Sequence, residues 1–265
     1  MSTTTAPATV DTSAPGVPLS RLVRVEVRKA FDTRAGFWFS TSILILCALA
    51  LTFFVSFVPI DTLTFTNSTG VAGGVLGYFL PIIPILLVTS EWGQRTGLVT
   101  FTLEPRRSRV VLAKFAAGVI ISLAVIVVAF ALAAGILGIG SVFRDGSVDW
   151  SISGHLIFNF VLSNVIGVFL GFAIAMLLMN SPAAIVGYFV YSLVLPIVVG
   201  IVSGLVEWFR DLAPWIEFNT AQNPLFTGDM SPTGEEWAQL ATSGLIWLVL
   251  PLTFGVLRLL KSEVK

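Results

Sequence analysis

Residues 152–206 decide the fold of this chain: ISGHLIFNFVLSNVIGVFLGFAIAMLLMNSPAAIVGYFVYSLVLPIVVGIVSGLV contains no Asp, Glu, Lys or Arg. As one α-helix these 55 residues would be about 80 Å long, whereas the hydrocarbon core of a bilayer is about 30 Å thick. The stretch must therefore double back. Asn180-Ser181-Pro182 is the strong break near its middle, because proline has no amide hydrogen and disfavours helix in the residue before it. We predict two membrane crossings, at residues 154–179 and 183–206, that meet in a tight turn.

Four further stretches are apolar, carry at most one charge, and approach or exceed the ~20 residues needed to cross a bilayer. They cover residues 37–58, 71–90, 111–142 and 238–258. The third is long enough that we expect it to tilt or to end early, around Gly135, Gly138 and Gly140. The composition, 55% apolar and only 11% charged, agrees with a chain in lipid. Together these stretches predict an all-α integral membrane protein with six transmembrane helices.

The basic residues indicate how these helices are oriented. With the amino terminus inside, 13 of the 15 Lys and Arg residues lie in inside segments, and only Arg144 and Arg210 lie outside. Cytoplasmic segments of membrane proteins carry such an excess. We therefore expect both termini in the cytoplasm. The zero net charge gives no general basic surface for nucleic acid.

Two segments precede the first crossing. Residues 1–18 are rich in Ser, Thr, Ala and Pro, and we expect a disordered cytoplasmic tail. Residues 19–35 set apolar side chains at helical spacing opposite a basic face, which predicts an amphipathic helix lying in the membrane interface. A charged helix packed on the protein itself is the alternative. The basic face consists of Arg21, Arg24, Arg28 and Lys29.

The segment between the fifth and sixth crossings, residues 207–237, is acidic and rich in aromatic side chains. This composition favours short helices that dip into the outer membrane interface. An ordinary extracellular loop with buried aromatics explains it equally well. Residues 261–265 complete the chain as a cytoplasmic tail.

Several chemistries are excluded or disfavoured. No Lys follows a Gly, so the chain has no phosphate-binding Walker loop and cannot hydrolyse ATP alone. The crossings contain no Asp or Glu, which disfavours ion-coupled transport. A single cysteine, Cys47, and a single histidine, His155, leave no disulfide and no metal site of the His/Cys type. Two alternatives stay open: an intramembrane, protease-like enzyme built on His155 and a nearby serine, and a structural or signalling membrane protein without transport activity.

The inside loop between the second and third crossings, residues 91–110, carries the functional signal. Its centre, residues 98–103, is apolar, flanked by charge, too short to cross the membrane, and followed by Pro105. Such a segment at the cytoplasmic face favours docking onto another protein. The alternative is a loop packed under the bundle with its arginines on lipid phosphates.

The loop and the six crossings resemble the membrane subunits of bacterial ABC transporters of the type-2 permease class. In that family an acidic residue leaves the second helix, followed by a Gly/Thr element, an apolar stretch, a Pro, a Ser-Arg pair and a Lys entering the third helix. The matching residues, in order, are Glu91, Thr96-Gly97, residues 98–103, Pro105, Ser108-Arg109 and Lys114. The Gly and Thr are reversed relative to the commoner order.

The resemblance implies a permease subunit that pairs with a second, identical or different, permease subunit and docks onto separate ABC ATPase subunits. It also implies that the membrane is the plasma membrane of a bacterial cell. ATP and Mg would bind those ATPases, so this chain would carry no cofactor, no metal and no catalytic residue, and would not be an enzyme. The implied transport is export, and the composition of the pathway suits an apolar or amphipathic substrate.

Specific residues carry these implied roles. We expect Leu98, Phe101 and Leu103 to form the docking core, and Glu91 and Lys114 to form an ion pair that braces the two helix ends. The remaining ATPase-coupling residues are Arg95, Gly97, Pro105, Arg107 and Arg109. The implied substrate-pathway residues are Tyr78, Phe79, Tyr188, Tyr191 and Ser192.

Overall fold

A computed structural model describes residues 17–93, 102, 104, 106–144, 147–226 and 232–261. These residues are mostly helical, and they include no β-strand. Six of the described helices are long and apolar enough to cross a membrane, as predicted, which supports a multi-pass membrane protein. We refer to them as spans 1 to 6: Gly36–Phe57, Phe65–Glu91, Arg107–Phe143, Gly154–Leu178, Ser181–Leu205 and Gly234–Leu259.

Spans 2 and 6 begin earlier than predicted because polar residues cap their first turns. Span 2 begins at Phe65 rather than near residue 71, and the side chain of Thr64 accepts a hydrogen bond at this helix start. Span 6 begins at Gly234, where Thr233 and Glu236 form a reciprocal capping box. Such caps supply partners for backbone amides that lack one in the first turn of a helix.

The tight turn between spans 4 and 5 lies where the sequence predicts it. Span 4 ends at Met179, whose φ of 51° places it in the left-handed region. Asn180 then caps span 5, since its side chain accepts a hydrogen bond from the amide of Ala183 at 2.9 Å. Pro182 lies in the first turn of the new helix, where its missing amide hydrogen costs nothing.

Span 3 does not end early. The helix Arg107–Phe143 runs unbroken for 37 residues, about 56 Å at 1.5 Å per residue. Of the two alternatives, an early end around Gly135, Gly138 and Gly140 is not seen, and the predicted crossing at residues 111–142 lies within this helix. At least Gly140 serves close packing instead, because a Cβ there would lie 2.1 Å from a side-chain carbon of Val55 in span 1.

The carboxyl-terminal end of span 3 is tied to the carboxyl-terminal end of span 1. The guanidinium of Arg144 donates to the carbonyl oxygens of Val55 and Val58 at 2.7 and 2.6 Å. These are among the last carbonyls of span 1, which have no amide partner within their own helix. A cation at this position also interacts favourably with the helix dipole.

The amino-terminal helix covers Leu19–Asp32 and packs on the protein. It contacts span 3, and Glu26 on the contacting face is buried. The predicted single helix over residues 19–35 is interrupted at Thr33, which caps the helix of span 1. A Cβ at Gly36 would lie 2.0 Å from the carbonyl oxygen of Ala30, so this close turn between the helices requires glycine.

Three spans are interrupted at or near proline. Span 2 changes direction at Leu80–Pro81, and spans 5 and 6 each contain a π-helical turn shortly before Pro196 and Pro251. The segments of span 2 are Phe65–Phe79 and Ile82–Gly93. Those of span 5 are Ser181–Phe189, Val190–Val194 and Leu195–Leu205, and those of span 6 are Gly234–Gly244, Leu245–Val249 and Leu250–Lys261.

The core consists of two main clusters, with span 2 between them. The first cluster joins spans 1 and 3 and span 2. The second joins the segment Ile82–Gly93 to spans 4, 5 and 6 and to an outer helix, Phe218–Phe226. Large apolar side chains also cover much of the outer surface, for example Phe53, Val127 and Leu205. An apolar exterior of this extent is typical of a surface that faces lipid or another protein.

The segment between spans 5 and 6 forms short helices, as predicted, with bounds Glu207–Ile216 and Phe218–Phe226. Its aromatics divide between the two predicted environments. Phe218 is fully buried under the second core cluster, whereas Trp208 is exposed. The second of these helices therefore packs into the bundle and contributes to the site described next.

Candidate functional site

Two groups of residues could support function: a buried charge cluster at one end of the bundle and a cavity in its interior. The predicted ion pair between Glu91 and Lys114 exists, with Nζ 3.0 Å from Oε1. It belongs to a larger set that the sequence analysis missed. We call Glu26, Lys29, Glu91 and Lys114 the charge cluster; it joins the amino-terminal helix, span 2 and span 3.

Lys114 is the centre of the charge cluster. Its side chain is only 7% exposed, and its Nζ donates to Glu26 Oε2 at 2.7 Å and to the carbonyl oxygen of Leu87 at 3.3 Å. With Glu91 Oε1 at 3.0 Å, each of the three ammonium hydrogens has an acceptor. A buried charge is tolerated when it is paired and hydrogen-bonded in this way.

Lys29 is the most solvent-exposed member of the charge cluster. Its Nζ lies 2.9 Å from Glu26 and 3.0 Å from Glu91, and its side chain is about half exposed. Burial opposes the charge of Lys29, but the hydrogen bonds and negative charges of Glu26 and Glu91 outweigh it and raise the pKa of this ammonium. The cluster therefore holds two acidic and two basic side chains and has no net charge.

The arginines assigned to ATPase contact make contacts within the chain. Arg107 donates to the carbonyl oxygen of Leu259 at 2.7 Å, which links the start of span 3 to the end of span 6. Arg109 pairs with Glu104 at 3.0 Å and also donates to the carbonyl oxygen of Val17. Both arginines therefore help to fix the inner end of span 3.

The other predicted coupling residues lie outside the described residues. These are Arg95, Gly97, Leu98, Phe101, Leu103 and Pro105. The charge cluster stands at the two points where the loop that holds them leaves span 2 and enters span 3.

The second candidate is a cavity of about 430 Å³ between spans 2, 4 and 5 and the outer helix Phe218–Phe226. Four of the predicted pathway residues line it: Tyr78, Tyr188, Tyr191 and Ser192. Phe79 does not; its side chain packs against the two core clusters. Phe79 points away from this cavity because neighbouring helical residues point about 100° apart, and its predicted place in a substrate pathway stays a prediction.

Proline in span 2 explains one polar contact at the cavity wall. Pro81 has no amide hydrogen to donate to the carbonyl of Gly77, four residues earlier. The hydroxyl of Tyr188 donates to that carbonyl instead, at 2.7 Å. Spans 2 and 5 are therefore joined by a hydrogen bond that the kink makes available.

Proline in span 5 has a similar effect. In the π-helical turn the amide of Leu195 donates to the carbonyl of Val190, five residues earlier. The next residue, Pro196, has no amide hydrogen with which to pair the carbonyl of Tyr191 in the same way. The side-chain amide of Asn219 donates to the Tyr191 carbonyl at 3.3 Å. This contact joins span 5 to the outer helix. π-helical turns of this kind are frequent at functional sites.

The cavity also contains carboxamide side chains that the sequence analysis did not single out: Asn164, Asn219, Gln222 and Asn223. Asn164 could have been found, because it is a rare amide within the 55-residue uncharged stretch. The others could not, since the segment that carries them is separated in sequence from spans 2 and 4.

His155, the basis of the enzyme alternative, lies beside Ser153 with 3.4 Å between Nε2 and Oγ. This separation exceeds the ~2.6–3.2 Å at which a general base abstracts a proton. Within the described ranges no group of three His, Cys, Asp or Glu side chains could hold a metal ion.

Comparison with protein-family models finds no match to this chain, and a search of curated proteins finds no significant relative.

Proposed function

We propose that this chain is a membrane-spanning permease subunit of an ATP-driven exporter, of the ABC type-2 permease class. It pairs with a second permease subunit and binds separate ATPase subunits, which hold ATP and Mg. It lies in the bacterial plasma membrane with both termini cytoplasmic, and its amino-terminal helix lies at the inner interface. The strong bias of basic residues toward one side supports this orientation.

The charge cluster is the observation that supports the proposal most strongly. A loop that transmits movement from an ATPase must be attached rigidly to the helices on either side of it. Lys114, two turns inside span 3, and Glu91, near the end of span 2, join the two helices that flank the loop in a buried, fully paired arrangement. Glu26 extends the same arrangement to the amino-terminal helix. Movement of residues 94–101 is therefore passed to three helices at once.

In the proposed cycle, ATP closes the ATPase dimer and rocks the two permease subunits against each other. The substrate leaves from a path that includes Tyr78, Tyr188, Tyr191 and Ser192. The bent span 2 connects the two parts of this mechanism, because its inner end carries Glu91 and its glycine-rich outer half lines the cavity.

Phe101→Asp is expected to weaken ATPase binding by about 30-fold. The substitution removes a buried aromatic anchor worth about 2 kcal/mol and places a charge at the centre of the interface. The measurement is co-purification of the chain with the ABC ATPase encoded by a neighbouring gene, quantified in detergent. Phe143→Asp is the matched control, because Phe143 is an exposed phenylalanine at the other end of span 3. Its binding should equal that of the unchanged chain.

Two results would contradict the proposal. One is equal ATPase capture by the Phe101→Asp chain and the unchanged chain; the other is the absence of any ATPase that binds. The side of the loop is tested with Phe101→Cys and a membrane-impermeant maleimide, since the native Cys47 is buried and stays unlabelled. Labelling from outside intact cells would place the loop on the wrong face.

A further inference from the structure

The chemistry of the cavity wall defines a more specific ligand than the proposed export function requires. Among the described residues that line the cavity, none is Asp, Glu, Lys, Arg or His, and the buried carboxylate of Glu217 behind the wall accepts hydrogen bonds from Asn219 and Thr220. A charged ligand would therefore lose its water without gaining a counter-ion, at a high cost in a site of low dielectric. The wall combines apolar side chains with carboxamides and hydroxyls.

Three polar groups in this wall have no hydrogen-bond partner within the described part of the chain: the Tyr191 hydroxyl, the Ser192 hydroxyl and Asn164 Oδ1. Tyr191 and Asn164 are the most buried of these residues, at only 5% and 4% exposed. The orientation of the Asn164 amide is fixed, because its Nδ2 donates to the carbonyl oxygen of Phe160 at 2.9 Å. Asn164 Oδ1 therefore has an unused capacity to accept a hydrogen bond, and the Tyr191 hydroxyl can donate or accept one.

The cavity opens within the apolar depth of the bundle. Gly70, Gly74 and Gly77 line it, and a Cβ built on any of them would meet no atom within 4 Å. These glycines are exposed, and Gly74 and Gly77 lie well inside span 2. The volume of about 430 Å³ is within the ~300–1,000 Å³ typical of small-molecule sites.

We propose that this cavity binds an uncharged amphiphile that donates a hydrogen bond to Asn164 Oδ1 and exchanges one with the Tyr191 hydroxyl. The ligand enters beside Gly74 from the hydrocarbon region. A lipid with a hydroxyl and carbonyl head group, such as a monoacylglycerol, has this chemistry. The identification of this ligand as the exported substrate rests on the proposed function, whereas its binding does not.

The test is photo-crosslinking of the purified chain in phosphatidylcholine nanodiscs. The probe is a monoacylglycerol with a diazirine in its acyl chain, and the comparison probes are a fatty acid and a fatty amine of the same chain length. We expect saturable labelling of peptides from spans 2, 4 or 5 by the monoacylglycerol, and only weak labelling of those peptides by the two charged probes. Equal labelling by all three probes would overturn the proposal.

Variants separate binding from folding. Tyr191→Phe removes a hydroxyl that has no hydrogen-bond partner among the described residues, so the thermal unfolding midpoint of the variant should not fall, while its affinity for the probe should drop about tenfold. Gly74→Leu should block labelling by filling the entrance. Gly200→Leu is the matched control, because a Cβ there also meets no atom within 4 Å but Gly200 does not line the cavity.

The outcomes distinguish this proposal from the proposed function. Unchanged affinity in both Tyr191→Phe and Gly74→Leu chains would overturn the binding site. Specific labelling of a chain that binds no ATPase would support the site and contradict the exporter. An ATP-driven exporter that shows no specific labelling would contradict the site alone.

Discussion

Lys114→Met is expected to destabilise the folded protein by about 3–5 kcal/mol, the usual cost of removing one partner from a buried ion pair. The substitution keeps the length and apolar stem of the side chain but removes the buried cation from the cluster, in which the half-exposed Lys29 then remains as the basic side chain that pairs with Glu26 and Glu91. The measurement is unfolding in detergent micelles, followed by circular dichroism. A loss below about 1 kcal/mol would mean that the cluster does not hold these three helices together.

The amino-terminal helix supplies the matched control. Arg28 pairs with Asp32 at 3.2 Å, but their side chains are 80% and 63% exposed. An ion pair in this setting contributes little, so Arg28→Met should change stability by about 0.5 kcal/mol or less. A double-mutant cycle adds Glu26→Gln to Lys114→Met, and the two losses should be clearly non-additive because the residues share one hydrogen-bonded network.

Gly171→Val is expected to destabilise the protein by about 3 kcal/mol, at the upper end for an overpacked core. A Cβ at Gly171 would lie 2.1 Å from the carbonyl oxygen of Pro81, a backbone atom that cannot move aside without shifting the bend in span 2. Because this bend also presents the Gly77 carbonyl to Tyr188, displacement should disturb the cavity as well. The measurement is again the unfolding transition in detergent.

Gly200→Val makes the same chemical change in span 5, at a position where a Cβ meets no atom within 4 Å. Its stability should stay close to that of the unchanged chain. Similar losses in both variants would show that β-branching within a span, rather than contact with Pro81, is responsible.

Local signals in the sequence predicted much of the fold. The turn between spans 4 and 5 was predictable because Asn180 and Pro182 act on their own backbone, through a cap and a missing amide hydrogen. The six spans were predictable because length and apolar composition are local quantities. The role of Gly140 was not predictable, since it depends on a distant neighbour, Val55, that packs against it.

The candidate site was predictable only in part, because its geometry depends on distant segments. Glu91 and Lys114 lie close in sequence on either side of one loop, and their pairing was predicted correctly. Lys29 reaches Glu91 across 62 residues and Lys114 reaches Glu26 across 88. Helical periodicity placed Lys29 on the basic face of the amino-terminal helix, directed toward lipid headgroups. It could not reveal the contact with Glu91, because that carboxylate is distant in sequence.

Span 3 has a mechanical property that follows from its length. The rod is 37 residues long, about 25 Å longer than the apolar layer it crosses. Lys114 anchors it near one end, and Arg144 at the other end grips the carbonyls of span 1. Because the helix is unbroken from Arg107 to Phe143, we expect a displacement of one end to move the other end as well. Span 3 is thus a single continuous helix that is long enough to extend beyond the apolar layer at both of its ends.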